Sequence, residues 1–209
     1  AAREPVKALL VPHGAYGSCG AVAGAVFSRV AWAPTAVMVG PNHSEEGQPF
    51  GVAAVGKWTT PLGEMPLDEE MARAILRGAK ELKKDARCHE QEHSLEVQVP
   101  FLQRAGKVKR IVPVSVGPAD IEPSRRIGES VARAILKRGE PALLVASANL
   151  TRCEPLSDAQ SKDPRVLERI LAMDEEGLLR EIAEAASSMC GAGALAAVMT
   201  AARLLGATK

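Results

Sequence analysis

The amino-acid sequence predicts a layered α/β domain, with one sheet flanked by helices. Three observations carry that expectation. Short β-rich runs alternate with helical segments along the chain. Of the 209 residues, 46% are hydrophobic and 24% charged, the make-up of a globular domain that buries a real core. No internal repeat or low-complexity linker interrupts the pattern, so residues 1–209 read as a single domain.

The elements follow in order. Residues 6–11 (VKALLV) read as a buried strand ended by Pro12. Residues 20–33 are Ala-rich and helical, and 35–39 (TAVMV) form a second strand closed by Gly40-Pro41-Asn42. Residues 51–55 read as a third strand, and 58–63 as a turn-rich connector. An amphipathic helix spans 67–82, with Asp68 and Glu69 near its positive end. Residues 94–105 read as a helix capped by Ser94, which Pro100 bends or restarts. Residues 110–116 (RIVPVSV) form the next strand, and Pro113 predicts an edge position or an irregularity there. A helix over 123–138 has Pro123 in its first turn. The strand 142–146 (ALLVA) leads into a polar segment, 147–163. Two short helices, 164–173 and 175–187, and an Ala-rich helix, 191–205, complete the pattern.

Composition excludes several classes. With 26 Lys+Arg against 25 Asp+Glu the net charge is +1, unlike a protein that binds nucleic acid through bulk charge. Aromatics are only 3%, too few for a base-stacking platform. No apolar run approaches the roughly 18 residues of a membrane span, and the first residues do not form a signal peptide. Four cysteines without CxxC spacing suggest reduced thiols in a cytoplasmic protein.

Functional groups in such folds gather where strands hand over to loops. Three strand ends are polar: Pro12-His13-Gly14-Ala15-Tyr16, Gly40-Pro41-Asn42-His43, and Ser147-Ala148-Asn149-Leu150-Thr151-Arg152. His13 and His43 could converge on one metal ion, with Cys190 before the last helix as candidate third ligand. The bland readings are turn histidines bonded to backbone and a small packing cysteine. The glycines at 14, 17 and 20 lack the spacing and the Lys-Ser/Thr of a P-loop. A second constellation is His89-Glu90-Gln91-Glu92-His93, which fits the H-E-x-x-H zinc-peptidase pattern with Glu90 activating a zinc-bound water. Its flanks lack the apolar face of a zincin helix, so the bland reading is a solvated charged run with His93 turned inward.

The strand-end motifs bring a known family into view. The chain resembles the Memo-like family, including AmmeMemoRadiSam system protein B. The family's P-H-A-G-Y-x-Y-S/C-G corresponds to residues 12–20, and G-P-x-H to Gly40-Pro41-Asn42-His43. W-x-T-P-L-G matches 58–63 with Asp68 following, E-H-S-L-E-x-Q-x-P-F-L is intact at 92–102, and M-C-G-x-G lies at 189–193. The resemblance implies a fold similar to class III extradiol dioxygenases, which are non-haem iron enzymes. It implies a metal site at His13, His43 and Cys190, where the thiolate replaces a carboxylate and favours iron or copper, with zinc a further option. His93 is then an active-site or ligand-orienting group, and Tyr16, Asn42 and Asn149 line the substrate or support the ligands.

The chain departs from the family where S-S-D-x-S-H-Y is usual. The dioxygenase-type catalytic His is Arg152 here, and the Asp is Asn149. Arg152 cannot act as a general base, but it could bind an anion or polarise a carbonyl. The family's N-terminal leader and C-terminal S-G-D region find no counterpart in the 209 residues. An open sheet edge would then be covered in a homo-oligomer. The leading expectation is a cytoplasmic Memo-like metalloprotein performing redox or oxygen chemistry on a small molecule. Family context adds AMMECR-type and radical SAM partner proteins. The alternative is an adaptor without turnover that binds a peptide or anion near Arg152.

Overall fold

The computed structural model describes residues 6–118 and 120–208. Their strands are β1 (Ala8–Val11), β2 (Thr35–Pro41), β3 (Phe50–Val52), β4 (Lys57–Thr60), β5 (Gly63–Pro66), β6 (Lys83–Lys84), β7 (Arg110–Val116) and β8 (Ala142–Ser147). Their helices are α1 (Tyr16–Ser28), α2 (Glu69–Gly78), α3 (Val99–Ala105), α4 (Ile121–Arg138), α5 (Leu156–Leu171), α6 (Glu175–Glu184) and α7 (Ala192–Leu204). Two short 3-10 turns, Arg87–His89 and Glu96–Gln98, lie between β6 and α3.

One six-stranded sheet runs in the order β1-β8-β2-β7-β3-β6. Strands β1, β8, β2 and β7 are parallel, and β3 joins antiparallel to β7. Parallel strands need crossovers; α1 carries the chain from β1 to β2, and α4 from β7 to β8, each passing one strand. Both faces of the sheet are covered. Ala36, Met38, Leu143 and Val145 pack with Phe27 of α1 and with Val99 and Leu102 of α3. Val37, Val39, Leu144 and Ala146 face the opposite layer, formed by α2, α4 and α7. This double burial is why the strand runs are apolar without alternation. Each fully buried Val, Leu or Ile contributes roughly 1.5–3 kcal/mol, offset by the entropy of ordering the chain.

Helix α4 lies tight against α7. A Cβ on Gly128 would stand 2.3 Å from the Ala197 carbonyl oxygen, so only glycine permits this approach. Helix α2 is capped by buried Asp68, whose carboxylate accepts from the Met71 N–H at 3.1 Å and the Thr35 hydroxyl at 2.9 Å. The same carboxylate pairs with Arg138 at 2.6 Å and Arg110 at 3.2 Å. Burial opposes its charge, but these partners hold Asp68 below its usual pKa.

The fold class follows the sequence, and several elements depart from it. Residues 58–63 are not a connector: they belong to a hairpin, β4-β5, tied to α3 by Gln103, which donates to the Gly63 carbonyl and accepts from the Thr60 hydroxyl. Strand β7 is interior, not an edge, despite Pro113. Its ladder with β3 covers only Val114–Val116, so at Pro113 the strand is paired to β2 alone and the missing N–H is tolerated. The expected helix from 94 splits into a 3-10 turn and α3, with Pro100 in the first turn of α3. Ser94 caps nothing; its N–H bonds to Glu92 and its carbonyl to Ser147. Helix α1 starts earlier than expected, at Tyr16, and α2 is shorter, with Asp68 outside it as the cap. Helix α5 begins at Leu156 and carries Pro164 within it. Val166 is its one buried residue, so no apolar stripe announced its first half.

Candidate metal centre

The carboxyl ends of β1, β8 and β2 lie side by side. His13, Asn149 and His43 each stand two residues beyond one of them. Neighbouring strands are about 4.8 Å apart, so β1 and β2 are separated by roughly twice that. The central strand β8 ends in Ser147 and is followed by Ala148, small enough for two imidazoles to meet above it. The His13 and His43 ring centroids are 5.1 Å apart. His93, from the segment between the two 3-10 turns, stacks on His43 at 5.2 Å and meets His13 edge-on at 5.6 Å. One nitrogen from each ring lies within 4.8 Å of the other two, a group that could hold a metal ion. His13 is 3% exposed, while the side chains of His43 and His93 are 25% and 48% exposed. The cluster therefore opens toward solvent on the His93 side.

Donor counting fixes two tautomers. The Ser147 hydroxyl donates its one proton to the Ser94 carbonyl at 2.8 Å. It must then accept from His13 Nδ1–H, 3.0 Å away. Burial, followed by the neighbouring His43 and His93, lowers the His13 pKa to about 4, so the ring is neutral and its Nε2 carries a lone pair, which faces Cys190 Sγ at 3.1 Å. Glu92 does the same for His43. Its buried carboxylate accepts from the His43 and Ser94 backbone N–H groups, at 2.5 and 2.8 Å, and from His43 Nδ1 at 3.0 Å. Burial alone would raise the Glu92 pKa; these hydrogen bonds hold it below its usual value and keep the carboxylate ionised. His43 thus presents an unprotonated Nε2, and that buried atom has no hydrogen-bond partner. A carboxylate or hydroxyl behind an imidazole, with the far nitrogen free, is the arrangement metal-binding histidines use.

The other expected site residues separate into groups. Asn149 clamps the backbone of His13, accepting from its N–H at 3.0 Å and donating to its carbonyl at 2.8 Å. That double role needs an amide, because an ionised Asp could only accept. Asn149 also forms a two-way backbone bridge with Cys190. Gly191 then turns through φ 81°, a left-handed conformation with no room for a Cβ against the Ser147 carbonyl. Cys190 Sγ consequently sits 3.1 Å from His13 Nε2, although it is not among the three mutually close donors. Arg152 is exposed, and its charge adds a small depression to the His13 pKa.

Among the described residues no hydrogen bond joins Tyr16 or Asn42 to the histidine side chains. Tyr16 donates its hydroxyl to the Val97 carbonyl at 3.2 Å, and Asn42 donates to the Glu46 and Gln48 carbonyls, fixing the loop after β2. The zinc-peptidase geometry is absent: His89 ends a 3-10 turn and packs edge-on to Trp58 at 5.4 Å, whereas His93 belongs to the three-histidine cluster. Glu92 and Ser147 are the residues that sequence reasoning missed. Glu92 was read as part of a solvated run, and only its intact place beside His93 in the E-H-S-L-E motif hinted otherwise.

Architecture and site together define an α/β protein with a histidine cluster at the carboxyl ends of its parallel strands. A family profile described as "Memo-like protein" matches residues 1–209, and the chain belongs to that family. It is 38% identical over 209 residues to a MEMO1 family protein of Caldivirga maquilingensis, covering 99% of this chain and 74% of that one. It is 36% identical over 205 residues to a MEMO1 family protein of Methanopyrus kandleri, covering 96% and 72%. The fold is similar to the crystal structure of an uncharacterized protein of Escherichia coli K12, with TM-score 0.62, 17% identity, and coverage of 93% of this chain and 88% of that one. Among the described residues no helix is long and apolar enough to cross a membrane.

Proposed function

We propose that the chain is a metalloprotein in which His13, His43 and His93 hold a transition-metal ion, with Cys190 as a further, soft donor, and that its chemistry is redox or oxygen chemistry on a small molecule. The observation that carries this reading is the pair of Nε2 acceptors on His13 and His43, each fixed from behind, that of His43 without a partner and that of His13 facing Cys190 Sγ at 3.1 Å, with a third imidazole alongside. The orphaned His43 Nε2 fits an ion better than a packing role, since a buried acceptor without a partner costs stability. Imidazole with thiolate suits iron or copper, and zinc fits the imidazoles alone. Such an ion, when bound, supplies electron transfer or activation of dioxygen.

The protein's own residues do the rest. Ser147 and Glu92 set the ring tautomers, Asn149 holds the His13 backbone, and exposed Arg152 offers its charge to an anionic substrate group. A guanidinium offers donors and no acceptor, so base catalysis of the ring-cleaving dioxygenase type is not assigned to Arg152. The four free cysteines suit a reducing, cytoplasmic setting.

The test is spectroscopic. Copper- or iron-loaded protein should show a thiolate-to-metal charge-transfer band that Cys190→Ser abolishes while the ion is retained. His93→Ala should lose most of the ion. Retention of the band in Cys190→Ser would remove the thiolate from the donor set, and full occupancy in His93→Ala would remove the third histidine.

A further inference from the structure

A cleft of about 530 Å³, a volume that suits a small molecule, is lined by residues from the chain segments that carry His13 and His93. The segments that build the metal centre also build this cleft. Tyr16 stands three residues after His13, and His89, Glu90 and Glu96 flank Glu92 and His93 on either side in the chain. The charge of Glu92, the carboxylate behind His43, is felt at His89 in the cleft wall.

The wall is aromatic and acidic. It contains the chain's one tyrosine and one of its two tryptophans. Tyr16 is half exposed and held by its hydrogen bond to the Val97 carbonyl and an edge-on contact with Phe101. Trp58 is held edge-on by His89. Burial, and then the charge of Glu96, raise the Tyr16 pKa, so the phenol stays neutral and Glu96 lies near it. Lys57 also lines the cleft, but it is paired with Glu64 at 2.5 Å. Glu90 and Glu96 have no ion-pair partner among the described residues, which leaves the cleft with uncompensated negative charge. Aromatic faces combined with free carboxylates recognise organic cations.

We propose that this cleft binds the cationic end of a small organic molecule, an ammonium or guanidinium carried on a hydrocarbon body. The further statement that this molecule is the substrate of the histidine centre rests on the function proposed above; the binding does not.

Titration calorimetry with benzyltrimethylammonium, benzyl alcohol and benzoate tests the proposal on the full chain. The cation should bind with saturation, about tenfold more tightly than the alcohol, and benzoate more weakly still. The Glu90→Gln/Glu96→Gln pair, two exposed and nearly isosteric changes, should remove that preference, and Trp58→Leu should weaken the cation about tenfold. His13→Ala should leave cation binding within about twofold while changing metal content, which keeps failure of the metal centre distinct from failure of the cleft. Equal binding of the alcohol or benzoate, or undiminished cation affinity in the Glu90/Glu96 variant, would overturn the assignment.

Discussion

Glu92 is the residue that orients His43 within the histidine cluster. It places a full negative charge behind His43 Nδ1 and secures two backbone N–H groups at once. Glu92→Gln keeps the size but weakens that hold, because an amide carries no charge and has one acceptor oxygen where the carboxylate has two. The expected result is a 10–100-fold loss of metal affinity with near-native circular dichroism, read by competition with a chelator of known affinity. Unchanged affinity would show that His43 needs no partner to be a ligand. His13 and His43 were legible as a converging pair because strand ends are where such folds place chemistry, whereas Cys190 was singled out by its place before a helix start and its sulfur lies 3.1 Å from His13 Nε2. Glu92 and Ser147 were not, because their role depends on burial and on a hydroxyl proton already committed to Ser94, both properties of the tertiary structure. His93 was legible as a site residue, but its membership of the cluster emerged only when the residue 92–94 segment was seen folded against β8.

At the scale of elements, small residues and caps set how closely the layers approach. Gly128→Ala drives a methyl into the Ala197 carbonyl, so α4 and α7 must separate. Overpacking of this kind costs typically 1–3 kcal/mol, or about a few degrees in Tm for a chain of this length. Thermal unfolding measures it, and an unchanged midpoint would mean the helices slide freely. Elements with an apolar pattern were legible: β2, β8, α4 and α7 fall within a few residues of expectation. The misreadings have specific causes. Pro113 looked like an edge signal, but an interior strand accepts it where one neighbour stops short. The first half of α5 buries no residue, so it left no periodicity to read. The β4-β5 hairpin is short and mostly exposed, and its turn chemistry outweighed its strand character.

For the whole molecule, pH reports on the buried histidines. His13 and His89 both have pKa values lowered to about 4, chiefly by burial, against 6.5 when exposed. Between those values the unfolded chain binds protons that the folded chain refuses. Stability is therefore full above pH 6.5 and falls as pH drops toward 4. For His89 the loss amounts to about 3 kcal/mol at most. Asp68 and Glu92, held below their ordinary values, add losses only at lower pH, as acidity passes through and below 3.8 and 4.5. Urea unfolding at pH 7 and pH 4.5 should show the wild-type decline, and His89→Gln should flatten part of it. An identical slope in that variant would contradict a neutral, buried His89.

The central claim is that the strand ends of one sheet assemble a metal centre from His13, His43 and His93. Elemental mass spectrometry on protein purified anaerobically without a histidine tag tests it most directly, beside His13→Ala, His43→Ala and His93→Ala. The account predicts near-stoichiometric iron or copper in the wild type, or its uptake when supplied, and a large loss in every variant. A wild type that stays metal-free with both ions, or variants that keep the metal, would contradict it.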